Sequence, residues 1–349
     1  MKKTIAMLSL STAAFSFSAT AAIGQHPVVL VHGLQPSQLA ARPGPEEVNA
    51  NGEQYWEQYW NTHADVRIDW PSHERVAGKI ASDYAWPKLK QLAQSNTCAN
   101  GCIFVTHSTG DLVTRYILDN QENWLLNEGL PPLNIISTFD FAGAGGGSEL
   151  ADLAINIAEG GGVLNTTLQF AISLWLGEMP NSSNTGVLND LKVANARQIA
   201  PFPDGRVPRI RFTGDSSEYL GVTSPFLPGH DDGVVASHST CGSSTVGNFN
   251  SCSRTVAYDG KVASQSRGVS SFMPQHYPML MGSGYTHGGV IGDVHQGKVT
   301  AANSRVSLGD GTQVSVSTSD SWSWWGWAYY RYVNGSDDQT MSELVSSLR

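Results

Sequence analysis

The sequence predicts an α/β fold with a mostly parallel, doubly wound sheet that carries helices on both faces. Residues 27–31 and 103–105 are apolar at every position, which is typical of strands covered on both faces. Residues 135–141 form a third run, and residues 207–213 form a fourth that alternates more. Stretches with helical spacing lie between these runs, and strands that alternate with helices indicate a parallel sheet.

Two helices are predicted between the strands. The first extends from about residue 74 to residue 94, and Pro87 predicts a kink within it. The second follows residue 108, where one face of the predicted helix is apolar. The residues on that face are Leu112, Val113, Tyr116 and Ile117.

Residues 148–177 have the apolar spacing of two further helices. Glycines at 160–162 separate the two halves and provide a break or a hinge. A core helix and a mobile lid share this periodicity, so both interpretations remain open from the pattern alone.

The C-terminal stretch, residues 299–334, is predicted to be a hairpin extension rich in aromatic residues. Residues 306–317 alternate around Asp310 and Gly311, a pair typical of a hairpin turn. Residues 322–330 (WSWWGWAYY) follow, and we interpret them as a small satellite core because aromatic side chains dominate burial energetics. Ligand binding and contact with a membrane surface are the alternatives.

The first 21 residues have the pattern of a cleaved secretory signal. Lys2 and Lys3 precede an apolar stretch over residues 5–17, and residues 19–21 (ATA) provide a small-residue cleavage site near Ala21. We therefore expect an exported protein, periplasmic or extracellular.

The rest of the chain, residues 22–349, is predicted to be a single domain because it contains neither an internal repeat nor a low-complexity linker. The formal net charge is −9, and loss of the two signal lysines makes it −11. This acidic balance argues against nucleic acid and anionic membrane as main partners and suits a neutral or apolar substrate. No later stretch is long and apolar enough to span a bilayer, so we expect no integral membrane span.

The four cysteines predict two disulfides, because an even number in an exported chain is typical of paired thiols. Three pairings are possible. The local one, Cys98–Cys102 with Cys241–Cys252, is favoured because the members of each pair are close in sequence. A zinc site is the weaker alternative, since the spacing lacks a matching pair of histidines.

Ser108 is the candidate nucleophile. It lies in residues 106–110 (THSTG), which fit x-x-Ser-x-Gly between a buried strand and a helix, although Thr106 replaces the usual glycine. A serine hydroxyl needs a base within hydrogen-bond reach, an acid that orients the base, and two backbone donors for the oxyanion. The alternative is that Ser108 only caps the helix.

The N–H of Thr109, at the start of the helix, is predicted to be one oxyanion donor, and the N–H of Leu34 is predicted to be the other. In this kind of site the acid and then the base follow the serine along the chain. Asp231 and Asp232 are the candidate acids, and His287 in the glycine-rich segment YTHGGV is the favoured base. The alternative bases are His276 and His295.

Four segments, in the same order, resemble those of the secreted bacterial true lipases, the triacylglycerol lipases of the α/β-hydrolase superfamily. They are residues 28–34 (VVLVHGL), 107–110 (HSTG), 147–152 (GSELAD) and 232–235 (DGVV). The resemblance implies an α/β-hydrolase fold and makes Asp232, rather than Asp231, the acid. It also favours a helical lid over residues 148–198.

The resemblance implies a carboxylic ester hydrolase, a lipase or esterase, that acts on apolar acyl esters of lipids or polyesters through an acyl-enzyme. A polyester depolymerase with the same triad is one alternative. The other is a non-catalytic exported binding protein on a hydrolase fold.

Two positions depart from that family. Residues 143–146 (GAGG) stand where the family usually has Thr-Pro-His. Gly289 stands two positions after His287, where the family has a calcium-binding aspartate. We therefore expect no cofactor, and the family's structural calcium site is not recognised.

Overall fold

The computed structural model describes residues 23–161, 165–199 and 207–348, so the predicted signal over residues 1–21 lies outside the described residues. The strands are β1 (Val28–Val31), β2 (Val66–Ile68), β3 (Cys102–His107), β4 (Ile135–Phe141), β5 (Arg209–Gly214), β6 (His276–Gly282), β7 (Val299–Ala301), β8 (Arg305–Ser307), β9 (Gln313–Ser315), β10 (Thr318–Ser323) and β11 (Ala328–Val333). The α-helices are α1 (Ser37–Ala41), α2 (Pro45–Tyr55), α3 (Glu57–His63), α4 (Trp86–Gln94), α5 (Gly110–Asn127), α6 (Glu149–Ala158), α7 (Thr166–Leu176), α8 (Leu188–Leu191), α9 (Val193–Ile199), α10 (Ser237–Thr240) and α11 (Met341–Ser346). A π-helix spans Val76–Ala85, and short 3-10 helices span Ile23–Gln25 and Ser224–Phe226.

The central sheet has the strand order β2-β1-β3-β4-β5-β6-β7, and every neighbouring pair is parallel except β6 and β7. Both of its faces are covered. In β1, Leu30 packs into the core cluster that contains Trp60 of α3, whereas Val29 packs into the cluster that contains Leu112 of α5. This two-sided burial explains why β1 is apolar at every position. The predicted fold class, a mostly parallel sheet with helices on both faces, is confirmed.

The four strands predicted from apolar runs are present, and β5 begins at Arg209 rather than at residue 207. None of the four apolar runs predicts β2, β6 or β7. β2 and β7 have only three residues each, and β6 contains an exposed Tyr277 and a proline, so none has a long apolar run.

The helical stretch predicted over residues 74–94 is present, but the kink predicted at Pro87 is wrong. The π-helix continues directly into α4, and the backbone stays helical at Ala85 and Trp86, so Pro87 in the first turn of α4 does not break the helix. The irregular backbone occurs instead at Gly78, with φ −104° and ψ −128°.

Both predicted disulfides, Cys98–Cys102 and Cys241–Cys252, are confirmed. The second is buried in a small apolar cluster with Tyr258 and Met281. Across residues 23–161, 165–199 and 207–348, no helix has the length and apolar character needed to cross a membrane.

Two hairpins form the C-terminal extension. β8 and β9 pair around Asp310 and Gly311 as predicted, and β10 and β11 form a separate two-stranded sheet. The prediction that the aromatic stretch packs a satellite core is wrong. The side chains of Trp324, Trp325 and Trp327 are 73%, 98% and 75% exposed, because no element of the described part of the chain packs over the end of this hairpin.

Candidate active site

Ser108 lies on the sharp turn between β3 and α5. Its φ is +55°, a left-handed conformation that non-glycine residues adopt at a cost and that recurs at functional turns. The N-cap of α5 is Thr109, so Ser108 does not have the capping role that was the alternative from the sequence. Ser108 and His287 line the same cavity, which has a volume of about 410 Å³.

Two glycines allow the chain to approach this turn closely. A Cβ added to Gly33 would lie 2.6 Å from the Cβ of Ser108, so the loop after β1 reaches the serine only because residue 33 has no side chain. A Cβ on Gly110 would lie 2.6 Å from the carbonyl oxygen of His32. The small residue that the turn needs is therefore at position 110, and Thr106 is accommodated.

The backbone N–H groups of Leu34 and Thr109 lie in residues that line the cavity with Ser108, where the sequence predicts the two oxyanion donors. Among the residues that the structure describes, neither N–H donates to a backbone or side-chain acceptor. Thr109 also precedes an 18-residue helix, whose dipole favours negative charge at this end.

Asp232 holds His287 through two hydrogen bonds. The Nδ1 atom of His287 lies 2.9 Å from Oδ2 of Asp232, and the backbone N–H of His287 donates to the Asp232 carbonyl at 2.9 Å. The backbone N–H groups of Val234 and Val235 donate to Oδ1 at 3.0 and 2.8 Å, so the buried carboxylate is fixed. With Nδ1 donating to Asp232, Nε2 of His287 is the free acceptor.

Burial lowers the pKa of His287, but the charge and hydrogen bond of Asp232 raise it more, and the net pKa is above its ordinary value. Glu218 adds a further raising contribution. Its carboxylate accepts the N–H of Gly288 at 2.6 Å and lines the same cavity.

The alternative histidines lie elsewhere. His276 begins β6 beside Arg209, at the end of the sheet where the parallel strands start, and its Nδ1 lies 2.8 Å from the Pro274 carbonyl. Burial and nearby arginines hold the pKa of His276 well below its ordinary value. The Nε2 atom of His295 lies 2.9 Å from the Ser336 carbonyl. Neither histidine lines the cavity.

Asp231 is not in contact with His287. Its Oδ1 accepts the hydroxyl of Ser224 and the N–H of Gly233, both at 2.8 Å. Of the two adjacent carboxylates, the structure therefore brings only Asp232 to the histidine.

Tyr55 and His107 form a second support for His287 that the sequence did not predict. The Tyr55 hydroxyl donates to Nδ1 of His107, and Nε2 of His107 donates to the His287 carbonyl at 2.8 Å. Burial lowers the pKa of His107, so its ring is neutral and has one donor and one acceptor, as this chain of bonds requires. The sequence indicated only that His107 packs beside its strand, and nothing in it links Tyr55 to residues 107 and 287.

The segment before α6 is fixed to the segment that carries Asp232. The hydroxyl of Ser148 caps α6 by accepting the Leu150 N–H, and it donates to the Val234 carbonyl at 2.7 Å. Glu149 lies 2.7 Å from Nε2 of the buried His238. The start of α6 is thus an anchored part of the site.

Apolar side chains form much of the cavity wall. They include Leu34, Trp175, Leu191, Val234 and Ile291. Trp175 belongs to α7, whose outer face exposes Phe170 and Leu174. Whether residues 148–198 move as a lid stays a prediction.

Within the described ranges, no group of three or more His, Cys, Asp or Glu side chains is placed to hold a metal ion.

The strand order, with the serine turn after β3, is that of an α/β-hydrolase fold. No family model matches the chain, and no curated protein sequence is similar to it. Solved structures that resemble it include bacterial lipases and esterases. The mature form of a Bacillus licheniformis lipase is 14% identical, with 78% of this chain and 89% of that chain covered and a TM-score of 0.42.

A Staphylococcus hyicus lipase is 15% identical, covers 79% of this chain and 91% of its own, and has a TM-score of 0.41. EstA from Clostridium botulinum is 14% identical, covers 79% and 85%, and has a TM-score of 0.39. Because these TM-scores are below 0.5, the function is inferred from the geometry of the site.

Proposed function

We propose that this protein is a carboxylic ester hydrolase, a lipase or esterase, with Ser108 as nucleophile, His287 as base and Asp232 as the orienting acid. One observation carries the proposal. Ser108 and an imidazole held by a buried carboxylate line one cavity together with two residues whose backbone N–H groups have no acceptor among the described residues. A structural role for these residues does not require this convergence.

In the proposed reaction, Oγ of Ser108 attacks the ester carbonyl while Nε2 of His287 takes the hydroxyl proton. The N–H groups of Leu34 and Thr109 hold the oxyanion, and Asp232 stabilises the imidazolium without taking its proton. The bond to the alcohol then breaks, and His287 returns the proton to the leaving alkoxide. Water, deprotonated by His287, then attacks the acyl carbonyl. The bond to Oγ of Ser108 breaks, His287 returns the proton to Oγ, and the carboxylic acid is released.

The proposed substrates are esters of apolar acids. The cavity volume of about 410 Å³ lies in the range of small-molecule sites, and its apolar wall suits an acyl chain. Export, as in the secreted true lipases, is proposed on the signal pattern of residues 1–21 together with the two disulfides.

Hydrolysis of p-nitrophenyl esters of short and long acyl chains tests the proposal. We expect wild-type protein to hydrolyse them and Ser108→Ala to be inactive while it remains folded. Ser82→Ala removes an exposed hydroxyl outside the cavity and is expected to behave as wild type. A folded wild type that hydrolyses no ester would contradict the proposal and favour a binding protein on a hydrolase fold.

The pH dependence of kcat/KM is expected to reflect the raised pKa of His287. The base must be neutral, so activity falls as the pH drops through a pKa above the ordinary histidine value of about 6.5. Glu218→Gln removes one raising charge but keeps an acceptor for the Gly288 N–H, so the acid limb is expected to move to lower pH. Glu159→Gln, an exposed change outside the cavity, is the control. An acid limb that does not move in Glu218→Gln contradicts this assignment.

Tyr55→Phe tests the second support of His287. The change leaves Nδ1 of the buried His107 without a hydrogen-bond donor, an unsatisfied polar group that costs about 1–3 kcal/mol of free energy. The His107 ring, which donates to the His287 carbonyl, is then held less firmly. We expect kcat to fall roughly tenfold, since 1.36 kcal/mol corresponds to a factor of ten. Tyr277→Phe is the matched control, because Tyr277 is exposed and lies outside the cavity. Equal kcat values for the two variants would show that the Tyr55 hydroxyl has no positioning role.

A further inference from the structure

The end of the β10–β11 hairpin exposes an unusual amount of aromatic surface. We call this surface the aromatic tip, and it consists of Trp322, Trp324, Trp325, Trp327 and Tyr329. Their exposed fractions are 42%, 73%, 98%, 75% and 54% in that order. Contiguous apolar surface of this kind is uncommon on a folded monomer and marks an interaction site.

The hairpin is held firmly at its base. β10 and β11 pair over six positions, and Val333 is buried in the main core with Leu344 of α11. The N–H of Arg331 donates to the Gly260 carbonyl at 2.8 Å, and the N–H of Val262 donates to the Tyr329 carbonyl at 2.8 Å. The tip is therefore presented by an ordered element joined to the rest of the fold.

The aromatic tip carries no charge. Residues 321–330 (SWSWWGWAYY) contain no acidic, basic or histidine side chain. The nearest charges along both strands, Asp320 and Arg331, neutralise each other at 2.7 and 2.8 Å. Such a tip enters an apolar medium without desolvating a charge. The chain as a whole has a net charge of −9, which opposes contact with an anionic surface.

The orientation of the rings distinguishes between uncharged surfaces. Trp322 and Trp324 are inclined at 86°, Trp324 and Trp327 at 75°, and Trp322 and Tyr329 at 65°. Rings that are nearly perpendicular do not form a flat platform, so they do not match a flat, rigid polymer face. A fluid surface adapts to them, and Trp and Tyr favour the lipid–water interface because each has an apolar ring and a polar N–H or O–H.

We propose that the aromatic tip docks the protein on an uncharged lipid surface by inserting its tryptophan rings among the headgroups. The area available is large, since a buried aromatic side chain contributes about 150–250 Å². This docking is separate from ester hydrolysis, because none of the tip residues lines the cavity of Ser108 and His287.

Flotation with phosphatidylcholine vesicles tests the proposal, with Ser108→Ala as the parent protein so that no lipid is hydrolysed. We expect the parent to bind. A triple variant that adds Trp324→Ser, Trp325→Ser and Trp327→Ser is expected to lose at least roughly tenfold in vesicle affinity. Leu220→Ser, at another residue that is 98% exposed, is the control and is expected to bind like the parent. Addition of phosphatidylserine to the vesicles is expected to weaken binding.

Three results would overturn the proposal. One is equal vesicle binding by the parent and the triple variant, when their melting temperatures show that both proteins are folded. Another is binding of the parent to cellulose, chitin or a polyester film but not to vesicles. The last is a parent that sediments as a dimer beside a monomeric triple variant, which would mean that a second copy covers the tip. Vesicle binding by Ser108→Ala is independent of hydrolysis, so failure here and failure of the proposed function are distinguishable.

Discussion

Replacement of His287 by alanine is expected to lower kcat for ester hydrolysis by roughly four to six orders of magnitude, as loss of a triad base does in serine hydrolases. In the proposed mechanism, Nε2 of His287 accepts the Ser108 proton, and Nδ1 lies 2.9 Å from the Asp232 carboxylate that orients the ring. The melting temperature, measured alongside, separates this loss from unfolding.

His295→Ala is the matched control, because His295 follows the same acid along the chain but contacts the Ser336 carbonyl instead of the cavity. It is expected to keep a kcat near that of wild type. If His295→Ala were inactive and His287→Ala active, the assignment of His287 as the base would be wrong. The assignment of the fold would not be affected.

Replacement of Asp111 by alanine is expected to lower the free energy of unfolding by about 3–5 kcal/mol, the usual cost of breaking a buried ion pair. Asp111 lies one residue into α5, just below the serine turn, and is fully buried. Arg209 lies 2.8 Å from its Oδ1, while Arg211 at 2.7 Å and the Gly145 N–H at 2.8 Å contact Oδ2. Its removal leaves two buried cations without this partner.

The lowered pKa of Asp111 agrees with the expected loss of stability. Burial alone would raise the pKa of Asp111, but Arg211 and Arg209 outweigh it and hold the pKa below its ordinary value. Asp111 is therefore ionised in the folded protein. Its stabilising contribution is present above the unfolded-state pKa and is lost only as the pH falls through the lower folded-state pKa.

Asp320→Ala is the control for Asp111→Ala, because Asp320 makes an equally short pair with Arg331 at the surface. An exposed pair contributes less than about 1 kcal/mol. Denaturant unfolding at constant pH measures both variants, and Asp111→Asn provides a milder change if the alanine variant does not fold. Equal midpoints for Asp111→Asn, Asp111→Ala and Asp320→Ala would contradict the buried network.

The sequence predicted the parts of the site that depend on local patterns. Ser108 stands out because a strand, a sharp turn and a helix leave a signature within a few residues, and chain order then limits the acid and base. The base itself could not be chosen from the sequence. His276 is excluded because it belongs to β6, a strand that the sequence did not predict, and because it does not line the cavity.

Features that depend on contacts between distant segments were not predictable. Tyr55 meets His107 across 52 residues, and Asp111 meets Arg209 across 98, and no local pattern encodes either contact. The aromatic tip was interpreted wrongly for a related reason. Composition shows that aromatic residues are present, but burial depends on whether another element covers them, and none of the elements that the structure describes does so.

Labelling of the native protein with a fluorophosphonate, followed by peptide mapping, tests the central claim most directly. The reagent reacts when an activated serine oxygen attacks phosphorus and displaces fluoride, so it reports on the nucleophile without any assumption about the substrate. We predict one adduct, on Ser108, that is lost in Ser108→Ala, greatly slowed in His287→Ala and absent after heat unfolding. A folded protein that acquires no label, or acquires it on another serine, would contradict the claim that Ser108, His287 and Asp232 form a hydrolytic site.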